Sequence, residues 1–405
     1  MKRIAVGCLK IGKDEREAVS SVLDSGRISE GEKTAAFEKK WADFVGTKFS
    51  VAVSSGTAAL LTVLTAFKLL YKLENRPKVI TSPLTYISDA NAIVLSGFEP
   101  VFVDIDPVTF GITPEAIESY LKKDPDSSRC SIVLPVDLMG YSVAIDKIKA
   151  VAKRYNLLVL EDAAEAHGTI YRGKRSGSQA DAAIFSFYIA HNIQAGEMGA
   201  ITTNDSQIYR LCKKLKSNGR SCECAVCTRS KGRCPYLNGV SDLDPRFTHD
   251  VIGYNFKTME FPPAIALAQL PKAEDIIRKR KSNVEYLNKR LAKFQNILQL
   301  PLLSNSVSYL AYPIVIKNPS LISRSQIAYE LEKYGIESRP LFGCIPTQQP
   351  AYEYLKESYR NKLPNAEYIG KNGFYVGCHQ YLKEEDLDYL VFVFSKIMKK
   401  VGGNG

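Results

Sequence analysis

The stretch Ala182–Thr203 reads AAIFSFYIAHNIQAGEMGAITT. It carries one imidazole, His191, five residues after Ser186 and just before a Gly-Glu-Met-Gly turn. Histidine changes charge near neutral pH and so serves as a base or acid there; packing or capping is the ordinary role of a lone histidine in such a loop. A second stretch, SNGRSCECAVCTRSKGRCPYL, sets Cys222, Cys224, Cys227 and Cys234 in the spacing C-x-C-x2-C-x6-C. Four thiolates at that density suit tetrahedral zinc or an iron–sulfur cluster, and the spacing does not choose between them. Arg220, Arg229, Lys231 and Arg233 surround these cysteines, as a solvated basic loop or as a set that offsets cluster charge or docks an acidic partner. The other five cysteines, Cys8, Cys130, Cys212, Cys344 and Cys378, are scattered and read as packed or free thiols.

Three further groups fall where short apolar runs end. Ser55-Gly56-Thr57 follows Phe49–Val53 and opens a helical stretch. Backbone N–H groups at a helix start point at an anion, and a glycine lets a phosphate approach; a Ser-Gly turn alone is commonplace. Thr85-Tyr86 follows a strand and a proline, and Tyr86 offers a ring face for stacking or simple edge packing. Glu161-Asp162 follows Leu157–Leu160. An acid there is often a helix N-cap. Its other role is to face a ring nitrogen and keep it protonated, as a carboxylate does for pyridoxal phosphate.

The elements that position these residues alternate. Short apolar runs at Val79–Thr81, Pro100–Val103, Ile132–Pro135 and Leu157–Leu160 are separated by helical stretches such as Ile145–Arg154. That pattern predicts a mainly parallel sheet in an α/β fold, with ligands beyond the carboxyl ends of its strands. From Gln269 a charged helical run, read as a long exposed helix, leads to a smaller C-terminal α+β domain. The expected boundaries are 1–270, with a cysteine-rich insertion at 219–240, and 271–405. The 405 residues carry a net charge of +11 spread along the chain, which favours a local anion site over a nucleic-acid surface. No stretch nears the ~20 apolar residues that span a bilayer, and the start lacks a signal-like apolar core. The expectation is a cytoplasmic protein with reduced cysteines and no membrane contact.

The motifs, in order, resemble the DegT/DnrJ/EryC1/StrS family of fold-type I PLP enzymes. They include ISEGEKTAAFEKKWADFVG, VAVSSGTAALL, SPLTYISDANAIVLSGFEPVFVDID, LVLEDAAEAHGTIYRGKRSGSQADAAIFSF, GEMGAITTND and IGYNFKTMEFPPAIALAQL, and they cover nearly the whole chain. The resemblance implies that Ser55, Gly56, Thr57 and Ser186 hold the cofactor phosphate. It implies that Tyr86 stacks on the pyridine ring, Asp162 pairs with its nitrogen, and Glu165 lies near its hydroxyl, where many members have Gln. Asn255 is expected to reach the phosphate of a neighbouring subunit, so a homodimer with shared sites is expected.

The family's aminotransferases keep a lysine five residues after that serine; here the position is His191, and no lysine occurs from Arg175 to Cys212. Lysine binds the cofactor covalently, whereas histidine retains only the base function. The exchange resembles a branch of nucleotide-sugar 3-dehydratases that use pyridoxamine or pyridoxal 5′-phosphate (PMP or PLP). One kind regenerates its cofactor with glutamate. Another acts on a CDP-linked 4-keto sugar with an iron–sulfur cluster and a reductase. The resemblance therefore implies a 4-keto nucleotide sugar as substrate, His191 as base, a [2Fe–2S] or [4Fe–4S] cluster on the four cysteines, and an electron-transfer partner. This chain has Ala164 where the CDP-sugar enzyme takes its first cluster cysteine, and Cys227 is the compensating candidate. The rival expectations are structural zinc with glutamate recycling, and a noncatalytic protein on an aminotransferase fold.

Overall fold

The computed structural model describes residues 2–222, 224, 227, 234 and 244–400. The apolar runs become strands β1 (Phe49–Val53), β2 (Lys78–Thr81), β3 (Glu99–Phe102), β4 (Cys130–Leu134) and β5 (Leu158–Asp162). A small hairpin, β6 (Ile170–Tyr171) and β7 (Lys174–Arg175), precedes β8 (Ala182–Ser186) and β9 (Gly199–Thr203). Seven of these form one sheet in the order β1-β9-β8-β5-β4-β2-β3. β9 runs antiparallel to both its neighbours, and the pairs from β8 through β3 are parallel. β4 is buried along its whole length, which is why CSIVL is nearly continuously apolar instead of alternating.

The covering helices are amphipathic where they face the sheet. Ile145, Ile148, Val151 and Ala152 form the buried stripe of the helix Ile145–Arg154. Helix Ala273–Leu291 is not the exposed rod expected from its charges. Ile276, Ile277, Arg280, Asn283, Val284, Leu287 and Leu291 are all buried along one face. Its lysines and glutamates occupy the opposite face, and charge density alone hid the apolar stripe.

Beyond that helix lies an antiparallel sheet of β10 (Leu298–Gln299), β11 (Tyr312–Ile316), β12 (Ser338–Pro340) and β13 (Gly373–Val376), in the order β10-β11-β13-β12. Two contacts tie it to the site. A bridge joins Leu84 to Cys344, and Ile345 N donates to Pro83 O at 2.8 Å. The loop that carries Tyr86 is therefore clamped between the two sheets.

Candidate active site

The carboxyl ends of β1, β5 and β8, with the start of β9, bring most of the candidate residues to one end of the sheet. Helix Gly56–Tyr71 begins directly after β1. Ser55 is its N-cap and accepts from Ala58 N at 3.1 Å, so its side chain stabilises the turn by about 1 kcal/mol. The amides of Gly56 and Thr57 lie at the helix start. Two contacts show why glycine is required nearby. A Cβ on Gly56 would sit 3.0 Å from Ser186 Cβ, and a Cβ on Gly199 would sit 2.2 Å from Ser55 O. Ser186 and the Ser55–Gly56 turn thus form one close-packed cradle.

Asp162 is the last residue of β5 and is 6% exposed. Its Oδ1 accepts from Ala164 N at 2.8 Å; it caps no helix. Burial pushes its carboxyl up to about 6, while the Ala164 amide and Asp89 pull it down. Asp89 was not singled out from sequence, where it is one acid in an apolar run. It is fully buried, and its Oδ2 accepts from Thr85 Oγ1 at 2.5 Å. Glu165, partly buried, accepts from Met139 N at 2.7 Å. Burial pushes Glu165 up to about 8, so at neutral pH it is a carboxylic acid, with the shape and donor pattern of a glutamine amide. Tyr86 is 62% exposed, with only the edge of Phe342 at 6.1 Å among the described ring contacts. Its ring face is open for stacking.

His191 lies in a pinned loop. Phe187 N donates to Met198 O at 2.9 Å, Ala195 N to Phe187 O at 2.8 Å, and Asn192 Nδ2 to Ser308 O at 3.1 Å. The imidazole is partly buried, and its Nδ1 has no hydrogen-bond partner. Burial and then the Arg280 guanidinium hold its pKa down to about 3, so the ring is neutral in the free protein. His167, 5.8 Å away ring to ring, is also held neutral, first by burial and then by His191. His167 and Arg280 were missed in the sequence; a histidine in EAHGT and an arginine in a charged helix give no local signal of burial.

Asn255 is exposed, and the adjacent Phe256 O accepts from Ser54 N at 2.9 Å beside the cradle. The cysteine segment is less complete. Cys222 and Cys234 are partly buried, and Cys224 and Cys227 are exposed. Burial, then the neighbouring Cys222, Cys234 and Cys227, raise the Cys224 thiol. Among the described residues, no group of three or more His, Cys, Asp and Glu is gathered to hold a metal ion. Arg229, Lys231 and Arg233 lie outside the described residues. No described helix is long and apolar enough to cross a membrane.

The architecture is that of the fold-type I PLP-dependent enzymes. Residues 9–395 match the DegT/DnrJ/EryC1/StrS aminotransferase family, and the chain belongs to it. It is 32% identical to GDP-perosamine synthase of Caulobacter vibrioides, over 98% of this chain and 99% of that protein. It is 29% identical to dTDP-4-dehydro-2,6-dideoxy-D-glucose 3-dehydratase of Saccharopolyspora spinosa, over 96% of this chain and 85% of that protein. Among solved structures it resembles E. coli GDP-4-keto-6-deoxy-D-mannose-3-dehydratase with bound hydrated PLP, at 29% identity and a TM-score of 0.84, covering 97% and 99% of the two chains. Both names that end in dehydratase and one that ends in synthase lie at similar distance, so overall identity does not choose the reaction.

The residues present fit a pyridoxal-type cofactor. A glycine cradle at a helix N-terminus with Ser186 beside it suits a phosphate. An ionisable acid at the end of β5, an open tyrosine face and a protonated Glu165 suit the ring.

Proposed function

We propose that this chain is a lysine-lacking, PMP/PLP-dependent 3-dehydratase of a 4-keto nucleotide sugar, with His191 as its base. The observation that carries the reading is His191 itself. A neutral imidazole occupies the position five residues after Ser186, with no lysine from Arg175 to Cys212. A site without that lysine cannot run ordinary transamination through a covalently held cofactor.

In this reading Gly56 and Thr57 hold the phosphate with their amides, aided by Ser55 and Ser186, and Asn255 reaches the phosphate of a second subunit in a homodimer. Residues 1–270 form the cofactor domain and 271–405 the smaller one. When bound, PMP supplies an amine that condenses with a ketone and a ring that withdraws electrons. Asp162 stays ionised against the ring nitrogen. Glu165, as an acid, donates to the ring hydroxyl. His191, neutral in the free site, takes the proton from a loop anchored by Asn192. The net reaction replaces a C3–OH by C3–H, taking up two electrons and two protons and releasing water. Cys222, Cys224, Cys227 and Cys234 would hold an iron–sulfur cluster, which, served by a reductase, would supply the electrons. The spacing of these cysteines, C-x-C-x2-C-x6-C, supports a shared ligand set.

The test is anaerobic purification, metal analysis and a visible spectrum, followed by turnover of nucleotide-linked 4-keto-6-deoxy sugars with PMP and a reductant. Iron with sulfide-type absorption and a 3-deoxy product support the proposal. Colourless zinc protein that needs glutamate supports the zinc rival. Binding without turnover under both regimes leaves the noncatalytic reading and sinks the proposal.

A further inference from the structure

Behind Asp162 stands a second carboxyl with no evident reason to be there. Asp89 begins the helix Ser88–Leu95 and is 0% exposed. Thr85 Oγ1 donates to its Oδ2 at 2.5 Å, while its Oδ1 is buried without a hydrogen-bond donor. The Asp89 and Asp162 side chains are within hydrogen-bonding reach of each other. Asp162 uses Oδ1 for Ala164 N. Neither acid has a salt-bridge cation among the described ion pairs, unlike the buried Lys216 with its two glutamates.

Two buried carboxylates within hydrogen-bonding reach, with no described cation paired to either, favour a single charge, so the pair shares a proton. Thr85 gives its hydrogen to Asp89 Oδ2, which leaves Asp89 Oδ1 as the only atom of that group able to carry a proton toward Asp162. The Ala164 amide favours the anion on Asp162. We propose that Asp89 is a positioning residue: as a carboxylic acid it donates from Oδ1 to Asp162 and so holds the Asp162 carboxylate singly charged and oriented toward the ring nitrogen of the cofactor. Burial and the Asp162 charge drive Asp89 in that direction, with Glu165 adding to it. The neighbouring pair Asp137 and Glu161, also buried, is raised chiefly by burial. The inference rests on the proposed PLP/PMP site for its purpose, but not for its proton.

Two measurements separate those parts. Infrared difference spectra of wild type against D89N, taken at neutral pH on cofactor-free protein, read the proton directly. The expected result is loss of a carboxylic acid C=O band in D89N; loss of carboxylate bands alone overturns the proposal. The second measurement is PLP affinity by absorbance titration. Asn presents an N–H to Asp162 and an oxygen to Thr85, so D89N should bind within about threefold of wild type, whereas D89A should bind about tenfold more weakly, the size of a lost buried hydrogen bond to a charged group. Equal affinity of D89A and wild type overturns the positioning role. Absence of PLP binding by wild type refutes the cofactor reading instead, and the infrared result still decides the shared proton.

Discussion

Glu165 offers a quantitative check on the electrostatics of the site. Burial is the main cause of its rise from 4.5 to about 8. Its folded pKa lies above its unfolded value, so the folded state binds more protons and stability falls as pH rises between those two values. At 1.36 kcal/mol per pKa unit, Glu165 costs about 2 kcal/mol near about pH 6 and about 5 kcal/mol near about pH 9. Replacing it by Gln removes the titration and keeps the amide-like donor and acceptor. E165Q should therefore gain about 3 kcal/mol on wild type between those two conditions, whatever its constant offset. Urea unfolding of cofactor-free protein, followed by far-UV circular dichroism, measures the two curves at each pH. The comparison with E165Q cancels the contributions of Asp137 and Glu161, which also titrate in this region. A gap between the two proteins that stays constant from about pH 6 to about pH 9 would refute a buried, protonated Glu165.

Other perturbations probe the rest of the site. Gly199→Ala puts a methyl where Ser55 O stands, 2.2 Å from the new Cβ; it should cost about 1–3 kcal/mol of stability and weaken PLP binding more than a surface Gly→Ala control. His191→Ala should keep cofactor affinity while lowering turnover by about 10²–10⁴, and equal turnover would remove His191 as base. Lys216 is buried, with Glu30 at 3.0 Å, Glu38 at 3.1 Å and Ala52 O at 2.9 Å. Although burial opposes its charge, Glu38 and Glu30 hold its pKa above the usual lysine value. Lys216→Met leaves two acids unpaired and should cost about 3–5 kcal/mol in denaturant unfolding; replacing Glu38 by Gln in the same background should recover part of it.

Local chemistry made much of this legible in the chain. β1 and the helix Ile145–Arg154 have the expected bounds because apolar runs and periodic stripes are local signals. The helix start after β1 was readable for the same reason: Ser55 caps a helix that starts at Gly56, and both residues are adjacent in sequence. The Leu157–Leu160 run extends to Asp162, so the two acids belong to the strand instead of following it. The helix Ala273–Leu291 was misjudged because its charged face dominates composition, while its buried stripe matters only once the two sheets pack on it.

The sequence by itself determined the identity of the chemistry-bearing groups: an imidazole five residues after Ser186, an acid ending a strand, and four cysteines in thirteen residues. Their protonation states were decided only by tertiary structure. Asp89 and Asp162 lie 73 positions apart, yet burial and then the Asp162 charge raise the Asp89 carboxyl. His191 and Arg280 are joined the same way, through a buried cation that keeps the imidazole neutral. The reason is physical. Residue type sets which proton can move, but desolvation and neighbouring charge set whether it does, and both are properties of packed space rather than of order along the chain.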